Sequence, residues 1–550
     1  MKIPGVNAAN SQARLFALLA VLCALCSLSA RSPRRATAQT QPQPTPAPLT
    51  EQERRGRAIY LRGESASGRE LRATLACGID LPASAMTCAN CHGERGEGKT
   101  EGGVTAGNLQ WSNLTKPDGH THTDGRRHGA FDAASFVRAT VEGIDPAGNK
   151  LQPVMPRYEL AAEDAADLVA YIKRVETARE PGVTDAAIGV GMLVPAKGAL
   201  AETGQAMRST VAAYFEDLNS RGGINDRKIE LRVAEAGDTP AATSANLEQF
   251  VAGGQVFALV SSMTAGADRE IASAAAARGV PLVGAISLTP LADVRANRQV
   301  FYLTPGVAEQ SRALVNFAAR KFDKTARSAV VYTQGDTIST ISAEAVEAQS
   351  KLIGWSPPTR VASKRGLPDP SAALAAAVAE LKNADTRVVY LFGADAAALL
   401  AEAAKLGWYP QVYLLGVTAG AGILDAPAGF KDRIFLAFPT VPSDITPAGL
   451  ADYRALAQKY ALASDHVAAR LSALAAARVF VEGLKRAGRD LTRERLVAAL
   501  EGLFDFETGL TPRVTFSPNR RVGALGAYVV GVDLEKKQYA VASGWIGSER

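Results

Sequence analysis

Five cysteines and five histidines are spread over 550 residues, and beyond Ala38 no apolar run approaches the roughly 20 residues that cross a bilayer. The chain beyond that point is therefore expected to be soluble. No Gly-x-Ser-x-Gly is present, and the late histidine, His466, stands two residues after Ser464 in a Ser-Asp-His run that reads as a helix cap. Gly189-Val190-Gly191 lacks the dinucleotide-binding spacing, and Pro195 interrupts the helix that would have to follow. The net charge of +6 is diffuse: Glu51 to Glu180 holds 17 basic and 19 acidic residues, with no basic run interleaved with aromatics. Nucleic acid is thus not an expected partner. No catalytic constellation emerges, and we expect a carrier or binding protein rather than an enzyme.

What is present is Cys88-Ala89-Asn90-Cys91-His92. Two thiols three apart followed at once by an imidazole form a c-type haem attachment site: the sulfurs add to the two vinyl groups and the adjacent histidine becomes the proximal iron ligand. A zinc half-site or a thioredoxin-like CxxC is the rival reading. Gly93, Gly96 and Gly98 follow, a stretch that lets backbone pass close over a flat macrocycle. No strand precedes them and no Lys-Ser/Thr pair follows, so a phosphate loop is not expected. Sixty-three residues after His92, prolines 153 and 156 flank Met155 in a stiff segment, as a distal thioether ligand requires. His120, His122 and His128 lie between the two axial candidates. They could replace Met155 or bind a surface metal, but without apolar periodicity they read as solvated loop residues.

Residues 51–176 resemble a class I cytochrome c, with an N-terminal helix over Gln52 to Leu61, the CANCHG motif, the Met-Pro segment and a C-terminal helix around Asp164 to Ile172. The resemblance implies an all-α domain, one covalent haem c held by Cys88 and Cys91, axial ligation by His92 and Met155, and electron transfer with a redox donor and acceptor such as a periplasmic dehydrogenase or another cytochrome. An insertion carrying Cys77 departs from that pattern. Cys77 is expected to be an unpaired, small buried residue.

Lys2 and Arg14 precede an apolar run from Leu15 to Ala30 and a small-residue site, Ala36-Thr37-Ala38, so residues 1–38 read as a Sec-type signal peptide and the compartment as a Gram-negative periplasm. Cleavage would remove Cys23 and Cys26. Lipid attachment at either is disfavoured by the leucine before each, while Arg31, Arg34 and Arg35 leave an uncleaved, membrane-tethering segment as the alternative. Residues 39–50 are rich in proline and glutamine and read as an extended tether.

From residue 186 to 550 apolar strand and amphipathic helix patterns alternate, after a linker at 177–185. Strands are expected at Ala187 to Val194, Ile229 to Val233, Val256 to Val260, Val280 to Gly284, Ala329 to Tyr332, Val388 to Phe392 and Val412 to Leu415. Such alternation demands parallel sheets covered on both faces. The phrasing of Ile188 to Pro195, Asn219 to Asn225, Ala258 to Ser262 and Val280 to Ala285 resembles type I periplasmic solute-binding proteins of the branched-chain amino-acid class. That resemblance implies two α/β lobes joined by three crossovers, closing on a small-molecule ligand, and a membrane transporter as partner. Ser261, Ser262, Ser287 and Thr289 match ligand-facing loops and are expected to bind a carboxylate or to cap helices. Tyr332-Thr333-Gln334-Gly335 lacks the aromatic-Gly pair of amino-acid binders, and residues 416–422 contain no acid to meet an ammonium group, which argues against an ordinary amino-acid ligand.

Overall fold

The computed structural model describes residues 49–122, 124–363, 370–393 and 395–548. The expected leader, 1–38, and most of the expected tether, 39–50, lie outside the described residues. The chain divides into two compact units, Met1–Thr177 and Ala178–Arg550.

The first unit begins with α1 (Glu51–Arg62), started by a capping box in which Thr50 Oγ1 accepts from the Glu53 amide and Glu53 accepts from the Thr50 amide. There follow β1 (Arg72–Thr74), β2 (Asp80–Pro82), α2 (Cys88–His92), β3 (Lys99–Glu101), β4 (Val104–Ala106), α3 (Trp111–Leu114), β5 (His120–Thr121), β6 (Arg127–His128), α4 (Ala133–Val141), β7 (Arg157–Tyr158) and α5 (Ala162–Ile172). Helices α1 and α5 pack through Ile59, Tyr60, Leu168 and Ile172, all buried. They touch at Gly56, where a Cβ would stand 1.8 Å from the Asp167 carbonyl. The Arg55 guanidinium locks the crossing by donating two hydrogen bonds, 2.6 and 2.8 Å, to the Asp167 carboxylate.

The all-α expectation for this unit needs correction. A three-stranded antiparallel sheet, β2-β1-β7, and two hairpins, β3–β4 and β5–β6, interrupt the helices. The insertion that carries Cys77 is the turn between β1 and β2, closed by Leu75 and Gly78 backbone bonds. Cys77 is exposed rather than buried.

The second unit contains β8 (Ala187–Val194), α6 (Ala201–Ser220), β9 (Lys228–Glu235), α7 (Pro240–Ala252), β10 (Ala258–Val260), α8 (Asp268–Arg278), β11 (Leu282–Ala285) and β12 (Val300–Tyr302) in its first lobe. Its second lobe has α9 (Val307–Ala318), β13 (Ser328–Thr333), α10 (Thr337–Leu352), β14 (Thr359–Ser363), α11 (Pro370–Asn383), β15 (Val388–Phe392), α12 (Ala396–Lys405), β16 (Gln411–Leu415) and β17 (Ile434–Phe438). Helices α13 (Pro447–Lys459), α14 (Val467–Ala487) and α15 (Arg493–Glu501) return to the first core, and β18 (Gly526–Asp533), β19 (Gln538–Val541) and β20 (Ile546–Gly547) to the second lobe. The chain therefore crosses between lobes three times.

The sheet orders are β12-β11-β10-β8-β9 and β14-β13-β15-β16-β17-β18-β19. The first sheet is wholly parallel; in the second only β18 runs against the other strands, so its pairings with β17, β19 and β20 are antiparallel. Separate apolar clusters lie on the two faces of each sheet, as buried Val/Ile/Leu strands require. Strand order reverses between β8 and β10 and between β13 and β15, the places where doubly wound sheets open a crevice at their carboxyl ends.

The expected linker, 177–185, is mostly part of this unit. Gly182 donates to the Gly254 carbonyl at 2.8 Å, Val183 bridges Ile188, and Thr184 Oγ1 accepts from the Ala187 amide at 2.9 Å. Its amide and hydroxyl groups find partners on the sheet edge, so they do not remain a solvated tether.

Candidate functional site

Helix α2 is a single turn, and that turn sets Cys88, Cys91 and His92 on one wall of a cavity of about 520 Å³. Two tyrosines fix it: Tyr60 of α1 donates to the Gly93 carbonyl at 2.6 Å, and Tyr158 of β7 donates to the Met86 carbonyl. His92 is buried, and its Nδ1 donates to the Gly107 carbonyl at 2.7 Å, so the lone pair rests on Nε2. Burial pushes this imidazole below its usual range, which keeps it neutral. Burial also pushes the Cys88 thiol up to about 12. That is opposite to the lowered value a thioredoxin-like CxxC needs.

Gly93, Gly96 and Gly98 do not line the cavity. All three have positive φ and turn the chain away from α2; Gly103 and Gly107 line the wall instead. The three glycines serve turn geometry, not close approach to a flat group.

Met155 lines the same cavity. Its loop is clamped by Arg157, a residue the sequence reading passed over, whose guanidinium donates to the carbonyls of Met155, Pro156 and Leu151. Gly143 makes room for that guanidinium, since a Cβ there would lie 1.9 Å from Arg157 Nε.

The histidine loop also differs from expectation. His120, His122 and His128 all line the cavity, and His128 is buried. They sit on the β5–β6 hairpin, whose register places His120 opposite His128. The missed signal is Asp124-Gly125, a hairpin-turn pair between residues of period two. His122 Nε2 and His128 Nε2 are 2.9 Å apart, His128 Nδ1 donates to the Gly129 carbonyl at 2.7 Å, and His120 Nε2 donates to the Asn113 carbonyl at 2.8 Å. Phe131 meets His128 edge-on at 4.9 Å. Among the described residues no group of three or more His, Cys, Asp or Glu is arranged to hold a metal ion by itself.

In the second unit Ser261, Ser262, Ser287 and Thr289 follow β10 and β11 as expected, but their hydroxyls are committed to the protein. Ser261 is fully buried and donates to the Ala473 carbonyl at 2.9 Å; Ser262, also fully buried, accepts from the Leu193 amide at 3.0 Å. Ser287 and Thr289 are half-buried and donate to Asp268 Oδ2, as does Thr264. Burial pushes the Asp268 carboxyl above the usual range, with the Ser287 hydroxyl the largest opposing influence. Asp268→Ala would leave the Ser287 and Thr289 hydroxyls without their acceptor, Thr264 keeping the Ile286 carbonyl at 3.3 Å, and a loss of about 2–3 kcal/mol in urea unfolding of this unit is expected. His466 holds Thr203 Oγ1 at 3.2 Å and makes no cap bond itself.

Residues 187–538 match a family model described as periplasmic binding protein, and residues 83–176 one described as cytochrome c. No curated protein matches the chain. Among solved structures, a putative branched-chain amino acid ABC transporter from Rhodospirillum rubrum is 18% identical with a TM-score of 0.52, covering 64% of this chain and 99% of that one. A fatty acid ABC transporter substrate-binding protein from Thermomonospora curvata is 19% identical, TM-score 0.51, covering 68% and 95%. A branched chain amino acid ABC transporter from Thermus thermophilus with bound valine is 16% identical, TM-score 0.50, covering 66% and 97%. Likeness at these identities establishes the fold. Among the described residues no helix is long and apolar enough to cross a membrane.

Proposed function

Because this chain belongs to the periplasmic binding protein family and carries a cytochrome c domain ahead of that module, we propose that it is an exported electron carrier, with one covalent haem c, fused to a receptor for a small molecule. The observation that carries the reading is the cavity on which Cys88, Cys91, His92 and Met155 converge, with His92 Nε2 left available by the Nδ1 bond to Gly107.

The residues present fit a haem. Thioether sulfurs would come from Cys88 and Cys91, and a neutral imidazole from His92 with Met155 as second axial donor. Much of the remaining wall is apolar, including Leu109, Leu114, Phe136, Leu168 and Ile172. Two buried polar atoms of wall residues, Thr87 Oγ1 and Arg126 Nη1, make no hydrogen bond within the protein, which suits a bound group that bears acidic acceptors. When bound, the haem supplies reversible one-electron exchange. The chain's own part is positional: Gly107 orients the imidazole, Tyr60 and Tyr158 hold α2, and Arg157 holds the Met155 loop. In this reading the protein carries electrons between a periplasmic donor, such as a dehydrogenase, and an acceptor such as another cytochrome, and it catalyses no substrate conversion.

Arg157→Ala tests the positional role. Covalent haem should remain while the spectroscopic signature of sulfur ligation weakens and the midpoint potential falls, since methionine ligation raises it. An unchanged spectrum and potential would remove Arg157 from that role.

A second reading makes the solute module the principal part, as the receptor of an ABC-type membrane transporter with the haem domain as a redox accessory. It is favoured by the match over residues 187–538 and by the likeness to ABC transporter proteins. Mass measurement of the exported protein under denaturing and then native conditions tests both. A haem-sized increment that survives denaturation supports the carrier reading, and additional mass seen only in the native state supports a bound solute. Lack of the first increment, from cells able to mature c-type haem, would overturn the carrier reading and leave the second.

A further inference from the structure

We propose that the His122–His128 pair is a proton-binding site that couples reduction at the haem to uptake of a proton. The inference rests on the haem reading above and adds to it a second function for the cavity wall, proton-coupled electron transfer.

The hydrogen-bond pattern fixes where the proton goes. His128 Nδ1 donates to the Gly129 carbonyl, so its Nε2 is an acceptor. The 2.9 Å contact must then use a proton on His122 Nε2, leaving the His122 Nδ1 lone pair to be filled. Proton binding there makes an imidazolium whose Nε2–H is shared with a neutral imidazole, a charge-assisted bond. His122 is half-buried, so water reaches it, whereas His128 is buried behind it.

The charges around the pair are nearly balanced. Arg126 and His120, on the same hairpin, oppose a positive charge; Arg127 points to solvent. Asp124 favours it, but the Arg126 guanidinium hydrogen-bonds that carboxylate and holds it down to about 2. From the turn after α4, Asp145 is fully buried with its Oδ2 3.8 Å from Arg126 Nη1, and Arg138 of α4 donates to the Asp145 carbonyl. Burial opposes ionisation of Asp145, yet the Asn149 side chain and the Asn149 and Ala147 amides hold its carboxyl below the usual range. Asn113 of α3, Phe131 and Gln152 complete the surroundings without charge. Burial, then Arg126, pushes the His122 imidazole below its usual value, which favours its neutral form.

One electron from an external donor takes ferric iron to ferrous and removes one positive charge from the cavity. One proton from solvent then bonds to His122 Nδ1, and total charge is conserved. The sign follows: reduction raises the affinity of the pair for protons, so the midpoint potential falls as pH rises between the proton affinities of the oxidised and reduced states.

The test is spectroelectrochemical titration of the full-length holoprotein from pH 5 to 9. The expected result is one window in which the potential falls by up to about 59 mV per pH unit, tenfold in proton activity being about 59 mV for one electron, with flat limbs on either side. His122→Gln keeps an amide donor for His128 but has no basic nitrogen, and should flatten the window while sulfur ligation persists. His128→Gln, should it fold, should displace the window. A wild-type potential independent of pH, or an unchanged slope in His122→Gln, overturns the proposal. Denatured mass is read first, so a preparation without covalent haem is recognised as failure of the carrier reading, not of the proton site.

Discussion

Replacement of both Cys88 and Cys91 by alanine is expected to yield an exported protein with no mass increment that survives denaturation and with a first unit that no longer folds stably. The two effects share a cause. The sulfurs are the only groups of α2 that can hold a haem covalently, because Ala89 and Asn90 offer no comparable nucleophile. Without the macrocycle, a cavity of about 520 Å³ remains inside a unit that spans fewer than 130 described residues. Apolar wall residues such as Leu114, Phe136, Leu168 and Ile172 would then face water in place of the macrocycle, at about 25 cal/mol for each Å² left uncovered. A loss of even a few kcal/mol is a large fraction of the stability of a small domain. Limited proteolysis should therefore remove residues 49–177 from the variant while leaving 180–548 resistant. If the variant retained covalent haem, or if its first unit resisted proteolysis as the wild type does, the role assigned to the two thiols would be wrong.

Fold was legible in this sequence where the pattern repeats, and side-chain purpose was legible where chemistry fixes the spacing. The buried strands Ala187–Val194 and Val388–Phe392 stand where apolar runs place them, since a strand covered on both faces leaves little choice of boundary. Cys88, Cys91, His92 and Met155 line one cavity, as the spacing expected of a c-type haem site requires. The histidine hairpin was not legible by apolar period, because its buried face is made of imidazoles, which count as polar in any hydropathy pattern. Ser261 and Ser262 misled for a related reason: a serine after a strand can face a ligand or close a backbone bond, and only the neighbouring carbonyl of Ala473 and amide of Leu193 decide which. Arg157 was invisible because its partners are carbonyls, which every sequence offers.

The same invisibility attends Arg493, where a single truncation should cost the second unit about 3–5 kcal/mol. This side chain, the first residue of α15, is buried; it donates to the carbonyls of Phe257 at 2.9 Å, Val256 at 2.8 Å and Arg278 at 3.0 Å. Its Nε also lies 3.9 Å from the buried Glu180 carboxylate, in the segment expected as linker. One guanidinium thus joins α15, the approach to β10, the end of α8 and the strap that precedes β8. Arg493→Ala would leave three carbonyls short of a donor and a carboxylate buried without its cation. The loss should appear as a lower urea midpoint for the second unit with an unchanged slope, while the haem spectrum stays that of the wild type. Arg493→Lys restores charge without the planar fork and should recover only part of the loss. Glu180→Gln in the alanine background removes the stranded charge and should regain stability; additive effects of the two substitutions would show that the pair is not coupled. The expected non-additivity is what would demonstrate that residues 180–185 are an integral strap of the binding module.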